Sequence, residues 1–151
     1  MYLLDDTDKK ILNRIQSDFP TDARPFSVLA DDLNLSPRLV MERIKKMKKN
    51  QIIRRIGGNF SPDKIGYKST LCAAKVPGKD IESFARVVNS YPGVTHNYIR
   101  EHEYNIWFTV IANSRKTIEK SLKEISRKTG IKGILNLPAT DLFKISAQFK
   151  V

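Results

Sequence analysis

Residues 27–49 read SVLADDLNLSPRLVMERIKKMKK, two helices and the turn between them. Ser27 can cap a short helix carrying Val28, Leu29 and Leu33. Asn34 follows where a residue tolerant of positive φ suits a tight turn. Ser36-Pro37 then supplies a capping hydroxyl and the residue best suited to the first helical position. The helix it starts runs to about Lys49 and buries Leu39, Val40, Ile44 and Met47. Two helices joined by so short a turn make a helix-turn-helix. Upstream, Asp5 or Asp6 caps a helix with the apolar face Ile11, Leu12 and Ile15, and Pro20 lies beyond its end. Downstream, residues 51–60 (QIIRRIGGNF) predict a strand, a glycine turn and an extended return. The expected domain over residues 1–62 is a winged helix-turn-helix.

Ser61 to Gly66 is rich in turn formers, and the pattern changes beyond it. Residues 68–76 predict a strand ended by Pro77-Gly78. Ile81, Phe84, Ala85 and Val88 have helical spacing before Pro92-Gly93. Residues 94–100 and 105–112 predict a hairpin. Ile118, Leu122 and Ile125 mark a second helix, with Glu119–Lys123 and Glu124–Lys128 pairs expected on its surface and Gly130 past its end. A last strand is expected within residues 134–150. The βαββαβ order over residues 63–151 is that of a ferredoxin-like domain, so the fold class is α+β.

The chain has 151 residues and a net charge of +11, divided as +4 over residues 1–66 and +7 over residues 67–151. Such an excess calls for an anionic partner. A protein that only bound DNA would concentrate it where phosphates are touched, so the larger share in the second half points to an anionic ligand there. The single cysteine, Cys72, excludes an internal disulfide framework and any cysteine-held zinc or iron–sulfur site. The first residues are polar and acidic, unlike a secretory signal, and no apolar run approaches the ~20 residues of a membrane span. A cytoplasmic protein without membrane association is expected. No Gly-rich phosphate loop and no helical metal-binding motif is present, so no separate metal site is expected.

The hairpin carries the chemistry. With Arg100 opposite Asn105, the period of two puts Thr95, Asn97, Ile99, Ile106, Phe108 and Val110 on one face, to pack under the helices. His96, Tyr98, Arg100, Asn105, Trp107 and Thr109 take the other. An aromatic surface beside an imidazole and a guanidinium suits a large, flat, anionic ligand. The same residue types are enriched at subunit interfaces, so composition alone favours a dimer surface here, and a ligand can bind at its edge. Both histidines, His96 and His102, fall in this hairpin. Arg38, Arg43, Lys45, Lys46, Lys48 and Lys49 line the third helix and suit phosphate contact or a solvated face, with Glu42 among them. Arg54 and Arg55 on the expected wing point to opposite faces, and one of them can reach a ligand.

Over its whole length the chain resembles the leucine-responsive (Lrp/AsnC-type) regulators, through Leu4 to Leu12 (LDDTDKKIL) and Leu35-Ser36-Pro37. Those regulators typically carry a glycine and an aspartate in the central hairpin, where small effectors bind; the matching positions here are His102 and Asn105. Ile53 to Gly58 (IRRIGG), Gly66-Tyr67, His96-Asn97-Tyr98 and Asn105 to Phe108 (NIWF) resemble siroheme decarboxylase subunits more narrowly. That resemblance implies removal of two acetate carboxyl groups of siroheme as carbon dioxide, giving didecarboxysiroheme in alternative haem or haem d1 biosynthesis. It implies siroheme as the ligand and no further cofactor. It also implies a homologous partner subunit, or a second copy of this chain. His96, His102 and Arg100 are then the catalytic candidates, with either histidine a possible ligand to the siroheme iron. Arg54, Arg55, Asn97, Tyr98 and Trp107 are the substrate-binding candidates. A DNA-binding regulator is the alternative.

Overall fold

The computed structural model describes residues 2–58, 60–141, 143, 149 and 151. The chain divides into two compact units, residues 1–58 with 144–151, and residues 59–143.

In the first unit, α1 (Asp6–Ser17), α2 (Pro25–Leu33) and α3 (Pro37–Lys49) pack around Ile11, Leu29, Ala30, Val40, Ile44 and Met47. Asp5 caps α1 in a full capping box with Asp8. Asp8 is fully buried, and its carboxylate accepts from Tyr2 Oη at 2.7 Å and pairs with Arg43 at 3.4 Å, which compensates its burial. Ser36 caps α3 by accepting from the Leu39 N–H, and Asn34 takes φ 53°, both as the sequence predicts. The start of α2 differs. It begins at Pro25 with no side-chain cap, two residues before Ser27, because proline is preorganised for the first turn and lacks the N–H a cap would satisfy.

The expected wing ladder is absent among the described residues. Gln51 adopts φ 58° and closes α3 in a Schellman motif, the Gln51 N–H reaching Lys48 O and the Ile52 N–H reaching Met47 O, each at 3.0 Å. The Ile53 N–H also turns to Met47 O, and Ile52, Ile53 and Ile56 pack on the helical core. Backbone donors and side chains a wing strand would use are thus committed to the helix end. At the other end of this unit, Asn13 and Gln16 of α1 hold the backbone of Val151 and Phe149 through their side-chain amides. The rest of the segment expected to contain the last strand lies partly outside the described residues.

The second unit is a four-stranded antiparallel sheet in the order β2-β3-β1-β4, with strands β1 (Lys68–Ala74), β2 (Val94–Ile99), β3 (Ile106–Ala112) and β4 (Leu135–Leu137). Helices α4 (Ile81–Asn89) and α5 (Arg115–Thr129) bury Phe84, Val88, Ile118, Leu122 and Ile125 against Cys72, Ala74, Ile106, Phe108 and Val110. Gly130 at φ 73° ends α5. The Glu119–Lys123 and Glu124–Lys128 pairs do not close among the described residues. Instead Lys128 lies over the Tyr91 ring and Glu124 accepts from Tyr91 Oη, where the aromatic ring gives both a fixed partner. No described helix is long and apolar enough to cross a membrane.

Candidate functional site

The hairpin forms with Tyr98 opposite Trp107 and with the Arg100 N–H donating to Asn105 O at 2.8 Å, the expected pairing. One residue is out of step. Gly93 sits so close to Ile111 that a Cβ would lie 2.4 Å from its carbonyl oxygen, and a bulge follows between Val94 and His96. The bulge brings Val94, not Thr95, to the helix-covered side, and leaves Thr95 exposed. Ile99 was expected under the helices but is 64% exposed at the strand's open end.

The face opposite the helices carries two rows across all four strands. Tyr98, Trp107, Ala73 and Leu135 form one, and His96, Thr109, Leu71 and Leu137 the next. With ~4.8 Å between strands, each row is ~14 Å long, a platform for a flat ligand. Tyr98, Leu71 and Leu137 remain exposed, while Ala73 is buried among them. Sequence reasoning found the hairpin's share and missed Leu71, Ala73, Leu135 and Leu137. The unbroken run Leu71 to Ala74 was the available signal, since a strand apolar on both sides implies contact on both faces.

On this platform His96 and Tyr98 follow one another along β2, and Arg100 lies one residue past its end. The His96 and Tyr98 rings are 6.0 Å apart and near parallel, and the Arg100 guanidinium lies 5.5 Å from the Tyr98 centroid. Histidine 96 sets Nδ1 3.1 Å from Thr95 Oγ1. His102 occupies the loop, stacked on Tyr104. Trp107 Nε1 donates to Tyr104 O at 2.7 Å, so Tyr104 ties the loop to the platform. Lys75 and Glu103 pair at 2.7 Å beside it, which raises the lysine's pKa and lowers the carboxyl's. Either histidine has the donor chemistry to meet a tetrapyrrole iron; among the described residues no group of three or more His, Cys, Asp or Glu could hold a metal ion.

Two asparagines of the hairpin serve the second unit's architecture instead. Asn97 sits opposite Phe108 on the covered side and donates its amide to Asn89 Oδ1 at 2.9 Å, holding β2 to α4. Asn105, expected on the open face, instead grips the Val76 backbone, accepting from its N–H at 2.9 Å and donating to its carbonyl at 2.8 Å. Arg54 and Arg55 belong to the first unit and are exposed. Positive charge also gathers away from the hairpin, where Lys123, Arg127 and Lys132 line a cavity of about 530 Å³ beyond α5.

Residues 64–144 match the family model of the AsnC-like ligand binding domain, and residues 8–54 that of the siroheme decarboxylase NirDL-like HTH domain. Over 148 residues the chain is 49% identical to the siroheme decarboxylase alpha subunit of Oleidesulfovibrio alaskensis, covering 98% of this chain and 90% of that one. The chain belongs to the siroheme decarboxylase family. Among solved structures, this family member is similar to siroheme decarboxylase NirDL in co-complex with an iron-uroporphyrin III analogue. The identity is 33% and the TM-score 0.68, over 93% of this chain and 46% of that one. The NirDL chain is thus about twice as long. The chain also resembles AsnC of E. coli, at 25% identity and a TM-score of 0.80 over 99% of this chain and 100% of that one.

Proposed function

We propose that this chain is a siroheme decarboxylase subunit, taking two acetate carboxyl groups from siroheme as carbon dioxide to leave didecarboxysiroheme. The observation that carries this reading is the His96–Tyr98–Arg100 row on an apolar, aromatic platform wide enough for a macrocycle. In each decarboxylation the bond between the acetate methylene and its carboxylate breaks. The electron pair is taken up by the macrocycle, and a proton adds to carbon to give a methyl group. The protein supplies orientation, charge and that proton. Tyr98 and Trp107 border the ring, and Arg100 holds a carboxylate. His96 serves as acid or iron ligand. The relatives' subunit names (alpha, NirDL, NirG) support work in a complex, and the partner is a homologous subunit.

An anaerobic absorbance titration with siroheme, followed by product analysis with and without a candidate partner subunit, tests the reading. A saturable spectral shift with release of carbon dioxide is expected. No shift in either condition refutes it.

A second reading, a DNA-binding regulator, is favoured by the helix-turn-helix and the likeness to AsnC. Against it, Arg38 pairs with Glu42 at 2.9 Å and Arg43 pairs with Asp5 and Asp8, so two of the six cations of α3 face carboxylates rather than phosphate. Sequence-specific DNA binding that falls steeply with salt would support the regulator.

A further inference from the structure

We propose that His102 is a fixed hydrogen-bond donor, through Nε2–H, to a substrate carboxylate, and that proton transfer or iron ligation falls to His96 alone. This rests on the siroheme decarboxylase reading above and divides the labour between its two histidines.

The argument starts at the loop closing the hairpin. The Tyr104 backbone N–H donates to His102 Nδ1 at 3.1 Å. A backbone amide can only donate, so Nδ1 carries the lone pair and the ring proton is on Nε2. Ligation of iron through Nε2 requires the proton on Nδ1, the same nitrogen the amide occupies, and ligation through Nδ1 would displace that amide. What remains is one N–H, on Nε2. The His102 N–H donates to Arg100 O at 3.0 Å, its ring stacks on Tyr104 at 6.3 Å, and Trp107 fixes the Tyr104 carbonyl. The ring is therefore held in orientation as well as in tautomer. Its carboxylate neighbour Glu103 is paired with Lys75. A donor fixed two residues from the Arg100 guanidinium suits a carboxylate of the ligand.

His96 is not so constrained. Its Nδ1 faces the Thr95 hydroxyl, which donates or accepts by rotation. Either tautomer is compatible with that partner, and Nδ1–H bonded to Thr95 leaves the Nε2 lone pair for iron.

Steady-state kinetics of the decarboxylase complex with siroheme, across pH, tests this with His102→Gln, His102→Ala and His96→Gln. Glutamine can set an amide N–H near the position of Nε2–H but cannot titrate. We expect His102→Ala to raise KM about ten- to a hundredfold, the loss of one charge-assisted hydrogen bond. His102→Gln should recover most of that loss, with the wild-type pH profile and the wild-type spectrum of bound siroheme. His96→Gln should lose kcat. A His102→Gln variant as inactive as His102→Ala, or with a displaced pH profile or altered iron spectrum, overturns the proposal. Nitrogen NMR of the ligand-free protein gives a separate reading: His102 should show a protonated Nε2 and an unprotonated Nδ1, and the reverse tautomer overturns the proposal. If wild-type protein fails to turn over siroheme, the functional reading falls while the tautomer remains decided by NMR.

Discussion

Replacing Asn105 with alanine removes the clasp that joins the hairpin to the end of β1. The amide makes two hydrogen bonds, from the Val76 N–H at 2.9 Å and to the Val76 carbonyl at 2.8 Å, and Val76 is only 3% exposed. Two such bonds contribute about 1 kcal/mol each, and the stranded peptide groups of a buried residue add their own desolvation, for a total of about 2–4 kcal/mol. At a urea dependence of about 2 kcal/mol/M, the midpoint should fall by about 1–2 M. Trp107, the only tryptophan, stands two residues away in the same unit, so its fluorescence reports the transition directly. A midpoint within about 0.2 M of wild type, at unchanged slope, would refute the assignment of Asn105 as a clasp. Asn105→Asp refines the test. It keeps the acceptor for the Val76 N–H but turns a carboxylate oxygen toward the Val76 carbonyl. That raises the folded-state pKa of the new carboxyl, so stability should return as pH falls through the raised value, where the protonated oxygen donates again.

Three other outcomes are expected. The Asp8 N–H and the Arg43 guanidinium hold the Asp5 carboxyl below its ordinary 3.8, so its contribution is present above that value and disappears as pH falls through the lower, folded one. Thermal melts of wild type and Asp5→Asn should therefore differ at pH 6 and draw together as pH falls below the carboxyl's lowered, folded value, and a constant difference would count against the ion pair. Glu42→Gln should free Arg38 and strengthen non-specific duplex binding, steepening the salt dependence of affinity by about one unit of slope; an unchanged slope would mean that α3 does not meet phosphate. Burial pushes the Cys72 thiol up to about 12, so a disulfide reagent at pH 8 should label it only at the rate of unfolding, and immediate labelling of the native protein would contradict its place in the core.

Much of this molecule is legible from short-range chemistry. The Ser36-Pro37 start, the left-handed Asn34, the Ile81–Phe84–Val88 spacing and the Gly130 stop each act within a few residues, and each recurs in the structure. The alternation along β2 and β3 likewise predicts that His96, Tyr98 and Trp107 share a face, because a strand's period is local. Family membership follows from residues scattered along the whole chain, which the comparisons bear out. Other features arise only when distant segments meet. The bulge that displaces Thr95 follows directly on Gly93, which lies against Ile111 of the neighbouring strand. Asn105 leaves the open face because the Val76 peptide comes within its reach, and the expected wing strand gives way to a helix end because Gln51 turns left-handed over Met47. The platform's far half, Leu71, Ala73, Leu135 and Leu137, joins the hairpin only through strand order, which pairs segments far apart in the chain. Composition and periodicity set which side chains face a common side. Contacts between segments set which of them stand beside one another, and a flat ligand needs the second as much as the first.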